Sequence, residues 1–301
     1  LSFEPLLLAP EEERAEQYPY RRVWRTSAFE IGTVLMTVVV VVLATNLLGV
    51  LPTELRDPLP KIGLAVLPLA AWFVFSYRGE RRAIEPRPKL IGMLILGALM
   101  ANGLLIPLEE RLFTPNSWLP DASFFGRVLG FTLTIGIVSE FMRYAVLRYT
   151  IWPQCFRQRL DGIAYALAVS MGFATMYNLR IATDPDITLV ATALRVASIT
   201  FSQLSLGLFA GFFLAELKIV RPPIFWMPSG VFGAALLSGF YFAFRNIAII
   251  GGIKLGSTAS SPIRGLLLAA GVVIVMFVVF AFIIDNADAR MEAQTGRRQT
   301  L

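Results

Sequence analysis

A chain of 301 residues that is 56% hydrophobic and only 16% charged is too apolar for a soluble globular domain. Its net charge of +6 is not a nucleic-acid signal, because the basic residues lie between apolar runs and form no single patch. The chain has no histidine and one cysteine, Cys155, which excludes an intrachain disulfide, a cysteine-rich zinc or iron–sulfur site and His-ligated haem.

Residues 1–28 form a polar N-terminal tail (EPLLLAPEEERAEQYPYRR within it) without the pattern of a signal peptide. Apolar runs of the length needed to cross a bilayer, about 20 residues, then recur to the far end. The pattern predicts eight spans, at 29–50, 62–78, 90–108, 124–147, 162–182, 188–217, 229–250 and 264–284. The first is expected to be a retained anchor. The second contains Pro68 and is expected to kink or to be buried among its neighbours. The sixth is long enough to tilt or to project beyond the bilayer. A second polar tail occupies 285–301. The expected fold class is therefore all-α, a polytopic membrane helical bundle of about eight transmembrane helices, with one domain over 29–284. No internal repeat of the transporter kind is visible.

The basic residues are lopsided. One side holds Arg14, Arg21, Arg22 and Arg25, then Arg78, Arg81, Arg82, Arg87 and Lys89, then Arg148, Arg157 and Arg159, then Lys218 and Arg221, and finally Arg290, Arg297 and Arg298. The other side holds only Arg56, Lys61, Arg111 and Lys254. The positive-inside rule predicts both termini in the cytoplasm, and an even number of spans requires both on one side; the expected membrane is a bacterial inner membrane. Cys155 is then expected on the cytoplasmic side as a reduced thiol. Gly126 and Gly130 in the fourth span, and Gly207 and Gly211 in the sixth, are small pairs expected to pack helices together, within the chain first. Trp118, Trp152 and Trp226 fall where interfacial aromatic anchors are expected.

Polar residues concentrate in spans four to seven. Glu140 and Arg143 are three apart, so they share a helix face and are expected to pair. That pairing is favoured over a chemical role, because intramembrane charges tend to neutralise each other. Asp161 suits a helix start. Tyr177 and Asn178 end the fifth span; Arg195, Ser202, Gln203 and Ser205 lie in the sixth; Ser238, Tyr241, Arg245 and Asn246 lie in the seventh. Such groups most often make interhelical hydrogen bonds.

Three segments carry a further signal: DGIAYALAVSMGFATMYN, QLSLGLFAGFFLAE and LLSGFYFAFRN. In this order, over about 130–250, they resemble the PrsW-type family of intramembrane proteases, related to the CAAX-protease-like membrane hydrolases. The resemblance implies a membrane bundle built round a metal site, and the departures from it bear on that site. Ser139, Glu140 and Arg143 stand where the family has a pair of glutamates and then a lysine. Tyr177 precedes Asn178 where the family has glutamate, and Gln203 takes a histidine position. Ser238 and Phe242 take the positions of the last histidine and aspartate. The resemblance thus implies a vestigial site with no catalytic residue, no metal and no cofactor. Ser139 and Ser238 have neither a histidine nor an intramembrane lysine as base.

The leading expectation is a pseudoprotease that holds helices in a membrane complex, with lipids and other transmembrane subunits as partners and no nucleic acid. One alternative is an active hydrolase with a non-metal site around Glu140 and Ser139. Another is a transporter or lipid-binding protein that uses Arg143, Arg195 and Arg245 toward an anionic group.

Overall fold

Backbone polar groups in hydrocarbon find no water, so a crossing segment must satisfy them internally, as a helix does. In the computed structural model every long apolar run that is described is helical. The described residues are 20–46, 48–49, 57–81, 86–119, 121–220, 222–250, 267, 270–279, 282–283 and 286. Most of both tails, Arg56, Lys254, and the side chains of Arg245 and Asn246 lie outside them.

The helices in chain order are α1 (Tyr20–Asn46), α2 (Pro58–Glu80), α3 (Leu90–Phe113), α4 (Phe124–Thr150), α5 (Arg159–Ala182), α6 (Leu189–Ile219), α7 (Trp226–Ile250) and α8 (Ala270–Val279). Six of them, α1 to α6, are long and apolar enough to cross a bilayer. At 25 residues α7 is also long enough, roughly 37 Å at 1.5 Å per residue. The eighth expected span is seen as the shorter apolar helix α8. Among the described residues there is no strand.

Helix ends follow local chemistry. Pro58 opens α2 at a position where a missing N–H does no harm, and the Asp57 carboxylate accepts from the Leu59 amide at 3.0 Å. This start lies upstream of the expected 62–78 span, and the helix runs through buried Pro68. Ser123 caps α4 by accepting from the Gly126 amide. Asp161 sits in the first turn of α5 and reaches back to the Gln158 amide at 3.0 Å, which makes Gln158 the cap. α6, with 31 residues, spans roughly 46 Å and exceeds the hydrocarbon thickness.

The centre of the bundle is the antiparallel pair α5 and α6. Their apolar windows are 72% and 78% buried, against 22% for α1 at the rim. Small residues allow this pair to approach closely. A Cβ on Gly211 would fall 2.6 Å from the Gly162 carbonyl oxygen, and one on Gly207 would collide with Ser170. Gly172 of α5 likewise lies on the backbone of α3 at Leu94. The fourth-span pair is different. Gly130 packs on Leu119 of the preceding segment, and Gly126 has only Ala122 and Ser123 of its own turn nearby.

Ion pairs tie the helix ends together. At the end carrying residues 86–89 and 151–158, Arg87 donates to Glu80 and to Asp161, both at 2.6 Å, and Arg159 pairs with Glu216. At the opposite end Arg180 of α5 makes a two-pronged contact with Glu110, at 2.9 and 3.1 Å. Lys61 of α2 is buried there and donates to the Asp184 carbonyl at 3.2 Å.

Candidate functional site

The helix α4 widens into a π turn at Thr132–Gly136, just before Glu140. Such a turn takes up an extra residue and so rotates everything after it about the helix axis. At the end of that turn, Gly136 lies directly on the Ala235 backbone of α7. The rotated segment carries Ser139, Glu140 and Arg143 into the interior, where all three are buried.

Arg143 is 0% exposed and Glu140 1%. One guanidinium nitrogen of Arg143, Nη1, donates to Glu140 Oε2 within the same helix. The second, Nη2, donates to Gln203 Oε1 of α6 at 2.6 Å. The guanidinium also lies over the Phe173 ring of α5, 5.2 Å from its centroid. Three helices thus meet on one cation. Arg143 Nε and Glu140 Oε1 have no hydrogen-bond partner.

The remaining polar positions are arranged round this pair without joining it. Asn178 Nδ2 donates to Thr200 Oγ1 at 3.1 Å, one turn from Gln203 along α6. Ser139 Oγ donates to the Gly136 carbonyl of its own helix at 3.1 Å. Tyr177 donates its hydroxyl to Glu109 Oε2 of α3 at 3.0 Å. Ser139, Tyr177 and Glu109 line one small pocket together with Leu105, Thr134 and Val138. On α7, Ser238 is buried and its Oγ has no partner. It lies one turn from Ala235, which meets α4, and one turn from Tyr241, whose hydroxyl donates to the Ser198 carbonyl of α6 at 3.0 Å. Ser238 therefore faces the seam between α4 and α6. Phe242 stacks on Phe131 at 5.8 Å between ring centroids and offers no ligand. Arg195 is half-buried on α6, eight residues before Gln203, and takes no part in the Arg143 network.

Sequence reasoning did not assign Phe173, Thr200, Glu109 or Glu110 to this region. The last two were expected beyond a span ending at 108, but α3 continues to Phe113 through two π turns. Their signal was present: an acidic pair within reach of Tyr177 and Arg180, once α3 and α5 are parallel neighbours.

The chemistry open to this arrangement is narrow. Glu140 has its Oε2 committed to Arg143. Ser139 is its chain neighbour, and consecutive helical side chains diverge by about 100°. Ser139 bonds to its own backbone, so the nucleophile-to-base contact of covalent catalysis is not formed between them. Among the described residues, no three or more His, Cys, Asp or Glu side chains converge so as to hold a metal ion.

The family model for PrsW family intramembrane metalloproteases matches residues 85–284, from the loop before α3 to beyond α8. No curated protein and no solved structure matches the chain. The family match takes in every residue of the Arg143 network and covers well over half of the sequence, and on that ground the chain belongs to the PrsW family of intramembrane metalloproteases.

Proposed function

We propose that this chain is a non-catalytic member of its family, a membrane protein that binds helices or supports a larger membrane complex without cutting peptides. The observation that carries the reading is the closed polar centre. Arg143 neutralises Glu140, and Gln203 accepts a further Arg143 donor. A hydrolytic metal needs several nitrogen, oxygen or sulfur ligands and a position for water. The residues present do not fit one: histidine is missing from the whole chain, and the intramembrane carboxylate is held by a cation. Both termini lie in the cytoplasm in this reading, on the side of the loops 86–89 and 151–158, and the membrane is a bacterial inner membrane. The vestigial positions are Ser139, Glu140, Arg143, Tyr177, Asn178, Gln203, Ser238 and Phe242.

Purification of the chain in mild detergent from its native membranes, with metal analysis and a peptide-cleavage assay on the same sample, tests this. Defined stoichiometric subunits, no stoichiometric zinc and no cleavage are the expected result. Zinc bound by residues of α4 to α7, or cleavage lost in Glu140→Gln at unchanged stability, would overturn it.

A further inference from the structure

Arg148 and Trp152 lie where α4 leaves the bundle, at the same end as Arg87 and Arg159 but apart from them. The Arg148 guanidinium carbon sits over the Trp152 ring, 3.5 Å from its centroid. Stacking fixes its plane and leaves its N–H edges as donors. Arg148 Nη1 and Trp152 Nε1 are both shielded from water, and neither has a hydrogen-bond partner. Both groups are donors only, so no reorientation of either can satisfy the other. Two unpaired donors side by side, one of them cationic, lack a shared acceptor.

Among the described residues no carboxylate is paired with either donor. The described carboxylates at this end are Glu30, Glu80, Asp161 and Glu216. Glu80 and Asp161 are taken by Arg87 and Glu216 by Arg159, while Glu30, whose Oε1 has no partner, lies on α1 beside Ser76 of α2. A second cation stands at the same turn, because Lys218 Nζ of α6 donates to the carbonyl of Pro153, next to Trp152, at 3.0 Å. Lys218 can bond a further acceptor, since an ammonium group has three donors. The surroundings are those of a membrane boundary. Tyr149 is 85% exposed and Phe225 is 78% exposed, apolar rings that a bilayer would cover.

The geometry points to a binding site for the phosphate of an anionic phospholipid, formed by Arg148, Trp152 and Lys218. The phosphate oxygens accept from the guanidinium edge, the indole N–H and the ammonium group, while the acyl chains run along the exposed apolar flank of α4. Seating the phosphate requires the stacked pair, the Arg148 edge and the Trp152 indole together, to turn outward, and both side chains are half-buried. The proposal is independent of whether the family site is active.

Native mass spectrometry of the full chain, with phosphatidylglycerol, phosphatidylcholine or inorganic phosphate added to the detergent, tests it. Retained phosphatidylglycerol is expected in preference to phosphatidylcholine, with no competition from inorganic phosphate at equal concentration. Arg148→Gln and Lys218→Gln should each weaken retention about fivefold, the effect of one basic side chain at an anionic surface. Trp152→Phe keeps an aromatic face, on a smaller ring, and removes the indole donor, so it should weaken retention. Arg81→Gln, an equal loss of charge at an exposed position on the same face, is the control and should leave retention unchanged. Equal losses in Arg81→Gln and Arg148→Gln would overturn the site in favour of general surface charge. Equal retention of the two lipids, or displacement by inorganic phosphate, would overturn it as well.

Discussion

Two charge networks in this molecule use the same chemistry at different depths. At the loop end, Arg87 bridges Glu80 and Asp161, with side chains 18%, 16% and 6% exposed. In the interior, Arg143 bridges Glu140 and Gln203 with no exposure of the guanidinium at all. The outer arginine has two carboxylates. The inner one has a single carboxylate and a neutral amide, and both inner charges retain an unpartnered atom. Depth reverses what each network is for. Near water, an ion pair adds little, because its members were already well solvated. In the interior, the pair contributes little net stability over an apolar core, yet neither member tolerates losing the other.

The largest effect follows directly. Glu140→Gln leaves the Arg143 charge buried and uncompensated, and should lower stability by about 3–5 kcal/mol. The double change Glu140→Gln with Arg143→Gln removes both charges and should be milder than the single one. Thermal unfolding in mild detergent measures both. A double variant less stable than Glu140→Gln would break the comparison, since it would make the arginine useful without its partner.

Arg159 and Glu216 stand next, with side chains 4% and 11% exposed. Arg159→Gln should lower stability by about 2–3 kcal/mol, as for a buried charge-assisted hydrogen bond. This pair joins the ends of α5 and α6, which Gly162 and Gly211 already hold close. Loss should therefore show as faster amide exchange at those two helix ends, with the Asn178–Thr200 region unaffected.

Parts of this gradient were legible in the sequence. The spacing of Glu140 and Arg143 alone predicts their pairing, because helical neighbours three apart face the same way. The small pair Gly207 and Gly211 marks a helix contact, since only small residues let backbones approach so closely. Gln203 as the second partner of Arg143 was not legible, because it joins helices sixty positions apart. Phe173 under the guanidinium reads as one more apolar residue in an apolar helix. The four π turns in α2, α3 and α4 leave no sequence signature, yet one lies just before the Glu140 face and two carry α3 past Pro107 to Glu110. The family signal was visible over about 130–250 through its motifs. The match reaches 85–284 and so takes in α3, whose packing on Gly172 has no polar motif to mark it.

Arg87→Gln should have a smaller effect, about 1 kcal/mol, because Glu80 remains reachable by water. Asp161 also keeps its bonds to the Arg157 and Gln158 amides, at 2.7 and 3.0 Å, so its charge is not stranded. The loss should diminish at high salt, which screens partly exposed charges. Glu140→Gln should show no such salt dependence. A salt-independent loss in Arg87→Gln would place the outer network with the inner one.

The exposed end of the gradient is Arg180 with Glu110, whose side chains are 62% and 44% exposed. The geometry is good, with two prongs at 2.9 and 3.1 Å. If geometry set the contribution, Arg180→Gln would be among the costlier of these changes. If depth sets it, the loss should be within about 0.5 kcal/mol, because water replaces the partner at both groups. Tyr177 provides the internal check. It lies on the same helix and donates to the neighbouring Glu109 at 3.0 Å from a half-buried position. Tyr177→Phe should therefore cost more than Arg180→Gln, about 1 kcal/mol for one hydrogen bond, although it removes no charge. A larger loss in Arg180→Gln than in Tyr177→Phe would show that charge and geometry outweigh burial at this end of the bundle.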